Sequence, residues 1–418
     1  MVKRITGYTE NKANSQIRSV VKPVVLIFIP YYLPGEKSGG PVQSISNLVN
    51  SLDDEFYFRI ITSDRDWGDI KPYETININQ WNRIGKSDVY YVSENNKSIS
   101  IFADLIRKTS PNILYINSFF DPTFAQKPLW IMRLRLTKKI PIVLAPRGEF
   151  SEGAFNLKYW KKAPYTWFTN KLKLFDQVIW HASTSYEATE IQSKITNLDL
   201  QKVCVASDIP ASISTDISNV YPTAADTSDQ GNHQIAIVFL SRITRKKNLD
   251  YALKILSQVK ARVKFDIYGP LGEPSYWAEC QVLLKDLPQN ITAKYHGLLD
   301  NKDVISTFRK YDIFLFPTLG ENYGHVIAES LLAGTAVLVS DTTPWRQLEK
   351  QGLGWDVPLM DTGGFVGRIE KESRRSSHHR QMLRKLISHK AKQLTQDSSI
   401  TDANRLLFRS TLACGDSA

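Results

Sequence analysis

Short apolar runs that alternate with stretches of helical spacing confine this chain to one class of fold. In its first half the runs are VVLIFI at residues 24–29, then YFRIITS, VYYV, NILYIN and IPIVLAP, with KLFDQVIWHAS reading as a helix end followed by a strand. Each run is short for a helix and suits a strand buried on both faces. Segments such as VQSISNLVNSL, apolar at helical spacing, lie between them. Strand, helix, strand is the crossover unit of a parallel α/β sheet.

The pattern pauses after about Ser207 and then resumes. SISTDISNVYPTAADTSDQGNH, residues 212–233, is rich in Ser, Thr, Asp and Asn and nearly free of a core pattern, so it reads as a linker. QIAIVFLSR, a helix over LDYALKILSQV, VKFDIYG, ITAKYHG, DIFLFPT and TAVLVSD then make a second α/β set. The expected division is a polar tail at 1–22, an N-terminal Rossmann-like domain at 23–211, the linker at 212–233, a C-terminal Rossmann-like domain at 234–385 and a basic helical segment at 386–418 that packs back on the first domain. A length of 418 residues suits two cores better than one. Two doubly wound halves place a ligand cleft between them.

Composition narrows the partners. Hydrophobic residues are 42% and charged residues 23%, values of a folded globular chain. The net charge of +11 admits anionic substrates, anionic lipid or nucleic acid. No zinc-finger spacing, basic heptad helix or RNA-recognition signature is present, so nucleic acid is not expected as a partner. VVLIFI is too short to span a bilayer and no signal-peptide pattern precedes it. Cys204, Cys280 and Cys414 are scattered with no C-x-x-C pair, which fits a reducing cytoplasm better than a disulfide framework or a zinc site.

GENYGHVIAESLLAG, from Gly320 to Gly334, follows the strand-like DIFLFPT. Glu321 falls in the loop at the carboxyl end of that strand, where open α/β sheets bind ligands. Glu329 falls in the helix that follows, about two turns in on this reading. Eight helical residues rise ~12 Å at ~1.5 Å each. The paired carboxylates of a glycosidase stand roughly 5 to 9.5 Å apart across one bond. The two glutamates therefore suit separate parts of one long ligand, or else a solvated loop and a surface salt bridge. In FLSRITRKKNLDYAL, Arg242 closes a strand and Lys247 stands before an amphipathic helix, which suits a diphosphate or a solvated basic loop. SGGPVQS places Gly39 and Gly40 at the first strand–helix turn, which suits either a backbone approach to a phosphate or a simple tight turn, and G-x-G-x-x-G is absent. Asp64 and Asp66 in TSDRDW form an Asp-x-Asp pair better read as capping or surface acids than as a metal site. His325 is a candidate to face the ligand; His181 and His296 follow apolar runs and read as structural. No P-loop or G-x-S-x-G occurs.

Glu321-x7-Glu329 resembles the E-x7-E motif of family 4 glycosyltransferases of the GT-B fold. PTLGENYGHVIAESLLAGTAVLVSDTTPWR, SRITRKKNLDYALKIL and SGGPVQSISNLVNSL are similar to that family, and LAPRGEFSEGAFNLKYWKK is similar to its bacterial polysaccharide and lipopolysaccharide branch. The resemblance runs from about Val24 to Pro358. It implies two Rossmann-like domains facing across a cleft and retaining, metal-independent transfer of a sugar from a nucleoside-diphosphate sugar to a saccharide or lipid-linked acceptor. No cofactor other than that donor substrate is implied. It would put Glu321 on the donor sugar, Glu329 on the ribose, Arg242 and Lys247 on the diphosphate, and the backbone of Asn322, Tyr323 and Gly324 at the phosphates, with Gly39 and Gly40 also on the donor. Asn117 and Arg147 are the candidates on the acceptor side. Two departures stand out. Asn117 and Ser118 occupy the stretch where many members carry a His, and SDIPASIST lacks the usual Pro-Asn-Gly. The alternatives are an inactive nucleotide-sugar-binding protein, an epimerase that would need no acceptor, or a phosphorylase that would need a lysine-bound pyridoxal group.

KYWKKAPYTWFTNKLK, residues 158–173, holds five lysines, five aromatics and no acid. That mixture suits either an anionic membrane surface on the inner face of the cytoplasmic membrane or a partly buried helix with a lysine face.

Overall fold

The computed structural model describes residues 22–196, 198–211 and 234–416. The linker expected at 212–233 lies outside the described residues, as does the tail expected at 1–22 except for Lys22.

Two sheets carry the chain. The first has eight strands, β1 (Val24–Phe28), β2 (Tyr57–Ser63), β3 (Trp81–Ile84), β4 (Ser87–Val92), β5 (Ile113–Asn117), β6 (Ile142–Ala145), β7 (Val178–Ala182) and β8 (Val203–Val205), in the order β3-β4-β2-β1-β5-β6-β7-β8. All its pairings are parallel except β3 with β4. The second has β9 (Ile235–Leu240), β10 (Val263–Tyr268), β11 (Ile291–Tyr295), β12 (Ile313–Phe316), β13 (Ala336–Ser340) and β14 (Gly354–Val357), all parallel, in the order β11-β10-β9-β12-β13-β14. Every residue of β5, β12 and β13 is buried, as strands sandwiched between helix layers must be. The apolar runs thus became strands because only a sheet covered on both sides removes both faces from water. The strands without such runs, WNRI of β3, VCV of β8 and GWDV of β14, escaped the sequence pattern and lie at or beside sheet edges.

The strand order reverses at β1/β5 in the first sheet and at β9/β12 in the second. These switch points are where an open α/β sheet leaves a crevice beyond its strand ends.

One boundary needs correction. The helix Ser377–Thr395 runs unbroken through 385/386. Its Ile387 and Ala391 are part of the second core, and Ser388 Oγ donates to the Leu332 carbonyl at 2.9 Å. The second domain therefore continues to Thr395. The next helix, Ser398–Asp416, crosses to the first domain. Leu407 and Phe408 enter the first core, Arg409 Nε meets Glu55 at 2.6 Å, and Arg405 reaches Asp54 at 2.8 Å.

Candidate active site

The loops after the two central strands meet across one cavity. From the first domain come Gly39 and Gly40 after β1; from the second come Arg242 and Lys247 after β9, then Glu321, His325 and Glu329 after β12. Residues about 290 positions apart in sequence become neighbours because both switch points open towards the same space. Gly269 and Pro270 after β10, with Leu298 and Leu299 beyond β11, extend the lining to an apolar end.

Gly39 caps the helix Gly40–Leu52 with φ 64°, a left-handed value that glycine adopts without strain. A Cβ added to Gly39 would meet nothing within 4 Å, so the helix start faces open space. A second helix start faces the cavity from the other domain. His325–Leu332 begins after Gly324, and among the described residues no protein acceptor meets the amides of Tyr323, Gly324, His325 or Val326. Two helix N-termini and two cations aimed at one space favour an anion strongly.

Arg242 has no ion pair or hydrogen bond to its guanidinium among the described residues; its Cζ lies 5.0 Å above the ring of Trp67 from the first domain. Lys247 pairs with Glu321, and Thr318 Oγ1 also approaches Glu321 at 3.3 Å. Burial draws both cations below their usual pKa, against the pull of Glu321. A site that holds cations against their desolvation is poised to gain from a buried anion.

Glu329 is the fifth residue of its helix, just past one turn rather than two, because the helix starts only at His325. Half of the separation from Glu321 is loop, so the rise computed for eight helical residues does not apply. Both carboxylates nevertheless line the same cavity. Burial pushes the Glu329 carboxyl up to about 7, and among the described residues it has no hydrogen-bond or ion-pair partner. An acceptor left open in a cavity awaits a donor.

Other candidates went elsewhere. Arg147 does not face the cavity: it is buried, donating through Nε to Asn117 Oδ1 and through Nη2 to the Tyr115 hydroxyl, both at 2.7 Å, and pairing with Asp208 through Nη1. Asn117 is thereby buried too. Asn322 accepts a hydrogen bond from Ser183 Oγ at 2.7 Å across the domain boundary. The Tyr323 ring stands between His325 and Trp345. Asp66 accepts from the amides of Glu36 and Lys37 at 2.7 and 2.9 Å and from Ser38 Oγ at 3.1 Å, so it shapes the glycine loop. Asp64 pairs with Arg65 at 2.7 Å.

Residues that sequence reasoning passed over tie the domains together. Ser44 Oγ donates to Asp208 Oδ2 at 2.8 Å and shares a 2.8 Å hydrogen bond with His325 Nε2. Burial opposes ionisation of Asp208, but Arg147 and two histidines outweigh it and hold the carboxyl below its usual range. Burial keeps His325 below its usual pKa despite Asp208. Gly153 packs so close to the Leu319 carbonyl that a Cβ would stand 2.4 Å from its oxygen. Nothing in the spacing of these residues announces the contact.

Residues 225–383 match the family model described as glycosyl transferases group 1. A protein named "Uncharacterized 41.2 kDa protein in cps region" of Klebsiella pneumoniae is 23% identical over 258 residues, 61% of this chain and 68% of its own length. The solved structure of HepE from Anabaena in complex with UDP-glucose has TM-score 0.64 and 13% identity, covering 93% of this chain and 98% of that one. WaaG, titled a glycosyltransferase involved in lipopolysaccharide biosynthesis, has TM-score 0.59 and 13% identity over 92% and 99%. Two further relatives are matched over 24% and 22% of their length.

Proposed function

Because the chain is a glycosyltransferase of the GT-B fold, with a group 1 glycosyl transferase domain at residues 225–383, we propose that it moves a sugar from a nucleoside-diphosphate sugar to a saccharide or lipid-linked saccharide in cell-surface polysaccharide or lipopolysaccharide synthesis. The observation that carries this reading is the convergence of Arg242, Lys247, Glu321, Glu329 and two helix N-termini on one cavity. The apolar end near Leu298 and Leu299 takes the base, Glu329 takes the ribose hydroxyls, and the cations take the diphosphate. Glu321 takes hydroxyls of the donor sugar.

Breaking the sugar–phosphate bond builds negative charge on the departing diphosphate. Arg242, Lys247 and the free amides after Asn322 stabilise that charge more than the ground state, which is where catalysis is gained. We assign retention of configuration on the family resemblance. The reaction needs no cofactor, and a chelator is expected to leave the rate unchanged. Donor consumption that requires acceptor separates this reading from an epimerase.

The state of Glu329 gives a test with two opposite signs. Its folded pKa of about 7 lies above the ordinary value of about 4.3. Its contribution to the stability of the empty protein is thus full below the unfolded value and is lost as pH rises through about 7. The carboxylate, in contrast, accepts two ribose hydroxyls better than the acid does. Calorimetric titration with the nucleoside-diphosphate sugar is expected to show affinity rising from pH ~6 to ~8. Glu329→Gln should weaken binding and flatten that profile. A wild-type affinity independent of pH would remove Glu329 from the ribose.

We place the reaction in the cytoplasm at the inner membrane face. No helix among the described residues is long and apolar enough to cross a membrane. Helix Tyr159–Lys171 exposes Trp160 by 73% and Trp167 by 64%. Arg133 Nη2 donates to the Leu172 carbonyl at 3.3 Å, which brings the loop with exposed Leu134 and Leu136 alongside. Lys162 turns inward, donating to the Ala154 carbonyl at 2.6 Å, while Lys158, Lys161, Lys171 and Lys173 remain exposed. Each exposed lysine near anionic lipid contributes about 1 kcal/mol. Cosedimentation with vesicles should increase with anionic lipid and fall with salt, and replacing those four lysines by Gln should weaken it. Indifference to anionic vesicles at low salt would make the segment a structural helix only.

A further inference from the structure

The loop after β2, which carries Asp64 and Asp66, runs beside the glycine loop after β1. Asp66 is buried and accepts from four donors. The Glu36 and Lys37 amides reach its Oδ2 at 2.7 and 2.9 Å, while Ser38 Oγ and the Trp67 amide reach Oδ1 at 3.1 and 2.7 Å. One carboxylate thus ties the segment that leads into Gly39 to the backbone of Trp67. The Asp69 amide donates to the Asp66 carbonyl at 3.1 Å, closing a turn with Trp67 and Gly68 at its centre. Gly68 has φ 78°, the value that the third position of a type II turn requires. Lys37 Nζ meets Asp69 at 2.5 Å, so both ends of the turn are fastened to the glycine loop. A side chain carried on such a turn has a fixed place.

That side chain reaches the other domain. The Trp67 ring is half-buried, and Arg242 Cζ lies 5.0 Å from its centroid. Among the described residues no acceptor meets the Arg242 guanidinium, so the ring is what holds it. Arg242 lines the cavity and Trp67 does not. The ring therefore stands behind the guanidinium and leaves its other side to a ligand.

The choice of an aromatic partner has a chemical consequence. A guanidinium owns five N–H donors, and a carboxylate beside it would take two of them and offset the charge. Lys247, paired with Glu321, shows that arrangement in the same cavity. A ring face attracts the cation through its quadrupole and takes no N–H in a conventional hydrogen bond. The long side chain is then already ordered when an anion arrives, and less rotamer freedom is lost on binding. Resting on the transferase reading above, we propose that Trp67 is a positioning residue for the donor: from the opposite domain its ring holds Arg242 at the diphosphate while leaving free the hydrogen-bond donors that the diphosphate takes.

The test is calorimetric. It measures the Kd of the nucleoside diphosphate and of the bare nucleoside, for the base that the unaltered protein binds. Trp67→Leu keeps apolar bulk and removes the ring. It should raise the Kd of the nucleoside diphosphate by about 10-fold and leave that of the nucleoside within about twofold, because the ring acts on the phosphates through Arg242. Trp67→Phe keeps an aromatic face and should recover most of the loss. In an Arg242→Met background, where the cation is gone, Trp67→Leu should add less than about twofold. Ring-fluorinated tryptophan incorporated at position 67 keeps the shape, and so the fold, while weakening the negative face of the ring. The Kd of the nucleoside diphosphate should then rise stepwise with the number of fluorines. A loss shared equally by the nucleoside, or undiminished in the Arg242→Met background, would make Trp67 a packing residue and overturn the assignment, as would a flat response to fluorination. If the unaltered protein binds no nucleoside diphosphate, the transferase reading itself fails, and the role of Trp67 falls with it.

Discussion

Lys247→Ala is expected to lower turnover by roughly 10²- to 10³-fold, the effect of removing a preorganised group aimed at developing negative charge. The same change must also destabilise the protein. Lys247 and Glu321 are paired with side chains only 17% and 11% exposed. Deleting one member of a buried pair leaves an uncompensated charge and costs about 3–5 kcal/mol. The two effects separate in a double variant. Lys247→Met with Glu321→Gln removes both charges and should recover most of the stability in chemical denaturation, while turnover at saturating donor stays low. Recovery of turnover along with stability would reduce Lys247 to a structural partner. Arg242→Ala supplies the complementary case. Arg242 has no ion pair to break among the described residues, so turnover should fall by roughly 10²-fold with little change in stability.

Phe408→Ala is expected to destabilise the first domain by about 3–5 kcal/mol, although residue 408 lies at the far end of the chain from that domain's strands. Phe408 is fully buried, with its ring 5.3 Å from Phe56, 5.8 Å from Tyr115 and 6.2 Å from Phe58. Truncation leaves a cavity that these rings can refill only in part. Denaturation followed by first-domain tryptophans such as Trp180 should report the loss. An effect below about 1 kcal/mol, the level of a typical surface change, would mean that the helix Ser398–Asp416 does not dock as described.

What could be read in the sequence, and what could not, divides along physical lines. Strands buried on both faces, such as VVLIF of β1 and IFLF of β12, must be apolar throughout, so their positions were legible. WNRI of β3 pairs only with β4 at a sheet edge and needs no apolar run, so it was silent. The docking of Ser398–Asp416 rests on Leu407 and Phe408, with Ile400 and Leu412 packed beside them, in a helix whose other residues are mostly polar, and such a pattern does not fix where the second domain ends. The residues that line the cavity could be picked out because they follow strands and carry the resemblance to a known motif, Glu321-x7-Glu329. The place of Arg147 could not, because its partners Tyr115, Asn117 and Asp208 come from separate segments and are brought together only by the fold. The same holds for Ser44 with His325, and for Trp67 with Arg242.

The most direct test of the central claim is a thermal-shift panel of nucleoside-diphosphate sugars against the wild type and Glu329→Ala. A donor present at about 100 times its Kd stabilises the folded state by about 2.7 kcal/mol. The expected result is a clear rise in melting temperature with one base and sugar combination, reduced in Glu329→Ala, and unchanged when a chelator is added. No shift with any nucleoside-diphosphate sugar at millimolar concentration would contradict the assignment of the cavity, and with it the proposed reaction.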